Sequence, residues 1–123
     1  MAVLFAELTD EAISQDDGPY LKTLEFQGTL MLGAEVSGQI VSMATLHILP
    51  NLGGARLAYG LVENVVTLRA FHGKGLGRGV MTMLIESAWS AGAYKIMLLT
   101  GAEAGAVGFY EKLGFSGESK VGM

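Results

Sequence analysis

The sequence has no cysteine, which excludes disulfide staples, thiolate metal sites and a cysteine nucleophile together. Its only histidines are His47 and His72, too few donors for a zinc site, so no metal is expected. Positive charge is scarce as well: eight Lys and Arg stand against twelve Asp and Glu, a formal net charge of -4. Nonspecific attraction to nucleic acid or to an anionic membrane needs a basic face, so neither partner is expected, and a cationic substrate is weakly favoured. No apolar run approaches the roughly 20 residues that cross a bilayer, because Gly, Glu, Lys or Arg interrupts every candidate. The segment from Met1 to Leu8 lacks the basic start and small-residue cleavage site of an export signal. A soluble, cytoplasmic protein is the expectation.

What the chain has in excess is glycine, 18 of 123 residues, about twice the usual share of roughly 7%. The glycines are dispersed at turns and in one spaced cluster, so their roles are positional. At this length a single domain over residues 1–123 is expected, burying roughly two thirds of the surface that the unfolded chain exposes.

The first 28 residues carry two short helix-like pieces, Ala2 to Leu8 and about Tyr20 to Phe26, with a polar stretch between them. From Thr29 the texture changes to strand. Thr29 to Val36, the turn Ser37-Gly38 and Gln39 to Ile48 form a predicted hairpin, and a third strand is predicted from about Arg56 to Leu68. The period then changes: Leu76, Val80, Met83, Leu84 and Ala88 recur at helical spacing, and Gly92 supplies a stop. Tyr94 to Thr100 is a short apolar run of strand length, and the intervening helix makes a parallel crossover the natural connection. A second helix is predicted from Ala104 to Leu113, with room for one more short strand after Phe115. The class is α+β, with a mixed, mostly antiparallel sheet flanked by helices.

Between the third strand and the long helix lies Arg69 to Arg78, in which Gly73, Gly75 and Gly77 alternate as the helix begins. Glycine lets backbone N–H groups approach a bulky anion where a Cβ would intrude. The helix N-terminus adds unpaired donors and the positive end of its dipole, and Lys74 and Arg78 add mobile positive charge. The spacing suits phosphate or pyrophosphate. A Walker loop is excluded because G-x-x-x-x-G-K-[ST] is absent, and a dinucleotide fold is disfavoured by the G-x-G-x-G spacing and the antiparallel strands ahead of it.

In this loop the sequence resembles the GNAT superfamily of acetyl-coenzyme A-dependent N-acetyltransferases. Where that family has the signature [QR]-x-x-G-x-[GA], this chain has His72-Gly-Lys-Gly-Leu-Gly77, and Gly108-Phe-Tyr-Glu-Lys-Leu-Gly-Phe115 is similar to the family's aromatic helix end. The resemblance implies a GNAT-like sheet in which two neighbouring strands, here Arg56 to Leu68 and Tyr94 to Thr100, splay apart to admit coenzyme A. It implies that backbone groups near Val65, Val66 and Thr67 pair with the pantetheine arm, and that His72, Gly73, Lys74, Gly75, Leu76, Gly77 and Arg78 hold the pyrophosphate. Two positions depart from the pattern: His72 stands where Gln or Arg is usual, and Glu103 where many relatives have an Asn. Both ends look short, so either the core is reduced or a neighbouring subunit completes an edge, and a homodimer is the expected assembly.

Acetyl transfer to an amine poses two proton problems: the ammonium must lose a proton, and the departing thiolate is helped by gaining one. Glu63, in an apolar stretch where desolvation would raise its pKa, is the candidate base; a carboxylate paired or solvated at a strand edge is the alternative. Tyr110 matches the family tyrosine that faces the coenzyme sulfur and is the candidate acid; a buried aromatic packed beside Phe109 and Phe115 is the alternative. His47 is expected as a satisfied sheet-face histidine, Asn64 as a local backbone cap, and Met81, Met83 and Met97 as core. The implied activity is transfer of acetyl from acetyl-coenzyme A to a primary amine of a small molecule or a protein. The alternative is a catalytically silent acyl-coenzyme A-binding module.

Overall fold

The structure is a computed structural model that describes residues 25–53, 57–103 and 105–123. Alternating side chains from residue 29 onward become three antiparallel strands, β1 (Thr29–Val36), β2 (Gln39–Leu49) and β3 (Ala58–Thr67). The β1–β2 turn is Ser37-Gly38, with φ of 50° and 79°. Two consecutive left-handed residues match the right-handed twist of the strands they join. A 3-10 turn, Arg69–Phe71, then leads to helix α1 (Leu76–Ser90), strand β4 (Ala93–Leu98) and the short helix α2 (Val107–Lys112). The sheet order is β1-β2-β3-β4, with β4 parallel to β3 through the α1 crossover.

The main core lies between α1 and the sheet, where Ala44, Leu46 and Val62 meet Val80, Met81, Leu84 and Ala88. The buried stripe of α1 runs through positions 80, 81, 84 and 88, which an α-helix brings to one side. Met83, expected on that stripe, falls beyond its edge, more than a quarter turn from its centre, and is 61% exposed; Met97 is exposed too, while Met81 is fully buried. A second cluster, Val41, Met43 and Leu68 with Val66, Phe71 and Leu76 against it, gathers where the strands lead into the glycine loop.

One irregularity controls how β3 is presented. Thr45 pairs with Glu63, but Met43 pairs with Val66, so β3 carries an extra residue between these pairs. Asn64, at φ 55°, takes the left-handed conformation that this bulge requires. Its consequence is visible in the packing: Val62 and Val65 both join the α1-facing core, whereas Val66 joins the second cluster. Unbroken alternation would have put Val66 beside Val62 on the α1 face. The bulge instead brings Val65 and Thr67 to that side.

The predicted elements otherwise differ mainly at their ends. The third strand starts at Ala58, and the second helix is the six residues Val107–Lys112. No strand forms after Phe115: residues 116–123 are exposed and irregular, and Gly117 and Gly122 interrupt any alternation there. The helix expected from Ala2 to Leu8 and most of that from Tyr20 to Phe26 lie outside the described residues.

Candidate functional site

The site begins where β3 and β4 part. They pair from Ala58↔Ala93 to Val62↔Leu98. β4 ends at Leu98, while β3 continues through residues 63–67. Along that stretch the β4-facing edge of β3 has no strand partner among the described residues. Main-chain N–H and C=O groups on such an edge can pair with an extended ligand, the Thr67 carbonyl excepted because His72 Nε2 occupies it. Val65, Val66 and Thr67 lie on this stretch and are half-buried.

At the head of the opening stands the N-terminus of α1. The first intrahelical bond runs from the Gly79 N–H to the Gly75 carbonyl, so the preceding N–H groups of Leu76, Gly77 and Arg78 point out of the helix end as unpaired donors. Gly73 and Gly75 have φ of 75° and 77°, and a Cβ at either would meet nothing within 4 Å. Their backbones therefore face open space in a conformation only glycine adopts readily. Such a loop, with the donors of the helix start beside it and open space at its glycines, has room for a pyrophosphate.

The side chains beside these glycines behave differently from the main chain. His72 is exposed and turns back: its Nε2–H donates to the Thr67 carbonyl over 2.7 Å. Lys74 also folds back, its Nζ 5.2 Å from the centre of the Phe71 ring. Leu76 packs its side chain into the second cluster. Arg78 is exposed on the first turn of α1.

Gly77 is the point of closest approach. A Cβ there would lie 3.1 Å from Thr67 Oγ1 and 3.8 Å from Phe109 Cζ. Thr67 is itself held by a 2.7 Å hydrogen bond to the buried Ser42 hydroxyl. The end of β3, the start of α1 and helix α2 thus meet at one glycine. Neither Ser42 nor the Thr67 hydroxyl was suggested by any motif, because their pairing joins residues 25 positions apart.

Helix α2 carries Tyr110 to this junction. Its ring meets Phe109 edge-on at 5.1 Å and Phe115 at 6.1 Å. All three pack against the main core. The N–H groups of Leu113 and Phe115 both donate to the Tyr110 carbonyl, which fixes the residue where the chain leaves the helix. The phenol is half-buried, and desolvation raises its pKa above 10.0. Its hydroxyl has no hydrogen-bond partner among the described residues.

Glu63 corrects an expectation. The apolar neighbours in sequence suggested burial, yet the side chain is exposed. Strand alternation explains it: Val62 faces α1, so Glu63 emerges on the opposite side of the sheet. There it stands across from the buried Thr45, whose hydroxyl accepts a 3.4 Å hydrogen bond from Asn64 Nδ2. His47, two residues along the same face, is held through Nδ1 by Thr29 Oγ1 at 2.9 Å. Glu103 is exposed in the segment before α2.

An antiparallel sheet whose third strand parts from a parallel neighbour beside a glycine-fronted helix defines an acetyltransferase fold. The chain belongs to the acetyltransferase (GNAT) family, whose pattern matches residues 3–115. It is similar to a solved structure from Agrobacterium tumefaciens, with a TM-score of 0.89 and 40% identity over 99% of this chain and 88% of that one. It is 38% identical over 79 residues to the glucosamine 6-phosphate N-acetyltransferase of Trypanosoma brucei brucei, covering 64% of this chain and 52% of that protein. To the glucosamine 6-phosphate N-acetyltransferase of Arabidopsis thaliana it is 37% identical over 89 residues, 69% of this chain and 56% of that protein. The chain spans about half the length of these two curated relatives.

Proposed function

We propose that this chain is an N-acetyltransferase that moves acetyl from acetyl-coenzyme A to the primary amine of a small molecule, and that the acceptor is a phosphorylated amino sugar of the glucosamine 6-phosphate type. The observation that carries the reaction class is the opening between β3 and β4 beyond Val62↔Leu98, headed by the glycine-fronted start of α1. The sugar phosphate is suggested by the two curated relatives. Since those relatives are named as enzymes, a silent acyl-coenzyme A-binding module is the less favoured reading. The overall acidity of the chain weakly favoured a cationic acceptor, but recognition of one phosphate is local and does not depend on net charge.

Acetyl-coenzyme A supplies the activated acetyl thioester. The β4-facing edge of residues 63–67, apart from the Thr67 carbonyl, would hold the pantetheine arm, and the loop from Gly73 to Gly77 the pyrophosphate. In the reaction an amide C–N bond forms as the thioester C–S bond breaks. Glu63, exposed on the far face of β3, takes the proton that the ammonium must lose, directly or through a water. Tyr110 donates its phenolic proton to the departing sulfur, a role suited to a phenol that burial keeps protonated.

A thiol-release assay over a panel of amines tests the proposal. Release with acetyl-coenzyme A should be fastest with glucosamine 6-phosphate and slower with unphosphorylated glucosamine. Silence with every amine overturns the enzyme reading. Preference for a polyamine or a peptide amine overturns the sugar phosphate.

A further inference from the structure

We propose that His72 is a positioning residue: by holding the Thr67 carbonyl, its ring sets the separation between the end of β3 and the glycine loop. This rests on the acetyl-coenzyme A reading above and adds how the loop is shaped for that ligand. In this view the loop is braced from within the chain, and the pyrophosphate is left to main-chain donors.

Three bonds converge on the strand end. The Thr67 hydroxyl is tied to Ser42 at 2.7 Å. The next N–H, that of Leu68, donates to the Val41 carbonyl at 2.8 Å. The Thr67 carbonyl accepts from His72 Nε2 at 2.7 Å. Between the last two partners runs the 3-10 turn, closed by the Phe71 N–H on the Leu68 carbonyl and the His72 N–H on the Arg69 carbonyl. His72 therefore bonds at both its backbone and its ring, and it is the last residue before the loop's first left-handed glycine, Gly73.

The chemistry of the contact limits what His72 can do elsewhere. A carbonyl oxygen only accepts, so Nε2 must carry the hydrogen and cannot also donate it to a phosphate. Lys74 is drawn back over Phe71, a residue of the same turn. The two side chains that flank Gly73 are thus both engaged behind the loop, His72 on the strand end and Lys74 on the turn. Without the brace the turn would sample more conformers, and ligand binding would bear the cost of ordering them.

Calorimetric titration of acetyl-coenzyme A into the full chain, with wild type, His72→Phe, His72→Gln, His72→Asn and His72→Arg, tests the brace. His72→Phe keeps a ring but no donor and should weaken binding roughly three- to tenfold, the worth of one neutral hydrogen bond. His72→Gln places an amide nitrogen the same number of bonds from Cβ as Nε2 and should recover wild-type affinity. His72→Asn is one bond short and should not. In turnover the loss should appear in KM for acetyl-coenzyme A, with kcat and KM for the amine little changed. Wild-type affinity in both His72→Phe and His72→Asn overturns the proposal, as does tighter binding with steeper salt dependence in His72→Arg, the mark of a direct phosphate contact. Should His72→Phe fail to fold, the Gln and Asn variants decide by the same criterion. Nitrogen NMR of the wild-type imidazole without ligand separates this inference from the reading it rests on. A hydrogen on Nε2 supports the brace, and one on Nδ1 alone overturns it. A wild-type chain that binds no acetyl-coenzyme A overturns the functional reading instead.

Discussion

The Thr67 hydroxyl oxygen lies 3.1 Å from the point that a Cβ on Gly77 would occupy. Ser42 holds that hydroxyl in place from the other strand, so Thr67 cannot turn aside without losing a partly buried hydrogen bond. Gly77 has no left-handed φ, and an alanine there strains nothing but this contact. Gly77→Ala should therefore leave stability nearly unchanged, because a helix-propensity gain of up to about 1 kcal/mol offsets the crowding. Acetyl-coenzyme A binding should weaken about tenfold, equivalent to about 1.4 kcal/mol, as the helix start is pushed off the strand. Thermal melting and calorimetry check the two halves.

Asn64 separates bulge geometry from side-chain chemistry. Glycine adopts φ 55° without penalty and loses only the 3.4 Å bond to Thr45, so Asn64→Gly should cost about 1 kcal/mol or less in urea unfolding. Asn64→Val adds a β-branched residue in the left-handed region, for an additional cost of about 1–2 kcal/mol. It should also raise KM for acetyl-coenzyme A, since the bulge is what brings Val65 and Thr67 to the α1 side.

Tyr110→Phe distinguishes the phenol from the ring. The aromatic contacts with Phe109 and Phe115 survive the change, and no partner among the described residues loses a hydrogen bond. If the phenol protonates the leaving sulfur, kcat should fall by about a hundredfold or more, while acetyl-coenzyme A affinity stays near wild type. Near-normal kcat would reduce Tyr110 to packing.

The same phenol makes an alkaline prediction. Its pKa is raised by burial above 10.0, so the folded state favours the protonated form. Below pH 10 this contribution to stability is fully present. As pH rises from 10 through the folded-state value, the unfolded chain ionises first and the contribution is lost. Tyr110→Phe should show a smaller loss of stability over that alkaline window, measured by urea unfolding at stepped pH.

Glu63→Gln tests the base. The carboxylate is exposed, so the change should leave folding intact, with a stability difference of about 0.5 kcal/mol or less. If Glu63 takes the ammonium proton, kcat/KM should fall and its rise with pH should flatten. A profile that keeps the wild-type shape removes Glu63 from the mechanism.

Most of the secondary structure was legible because it rests on local periods. Alternation marked β1 and β2, helical spacing marked α1, and Ser37-Gly38 marked its turn through a glycine suited to left-handed φ. The alternating Gly73, Gly75 and Gly77 marked the turn into α1, where Gly73 and Gly75 take left-handed φ and Gly77 makes room for Thr67. Errors arose where a period had to be assigned to a face. Met83 was placed on the buried stripe, although the helix turns 100° per residue and position 81 took that place. Glu63 was placed in an apolar setting by its neighbours in sequence, although in a strand those neighbours point the other way.

The sequence by itself determined the order of strands and helices, the glycine loop and the aromatic end of α2, because each follows from residue type and spacing along a few turns of chain. Only the tertiary structure decided that Thr67 sits between Ser42 and Gly77, that Asn64 bulges β3, and that His72 turns back to a carbonyl instead of outward. Those outcomes depend on which strand edges pair and where the pairing of β3 with β4 stops. Such long-range choices are made by the packing of α1 on the sheet, and no local pattern records them.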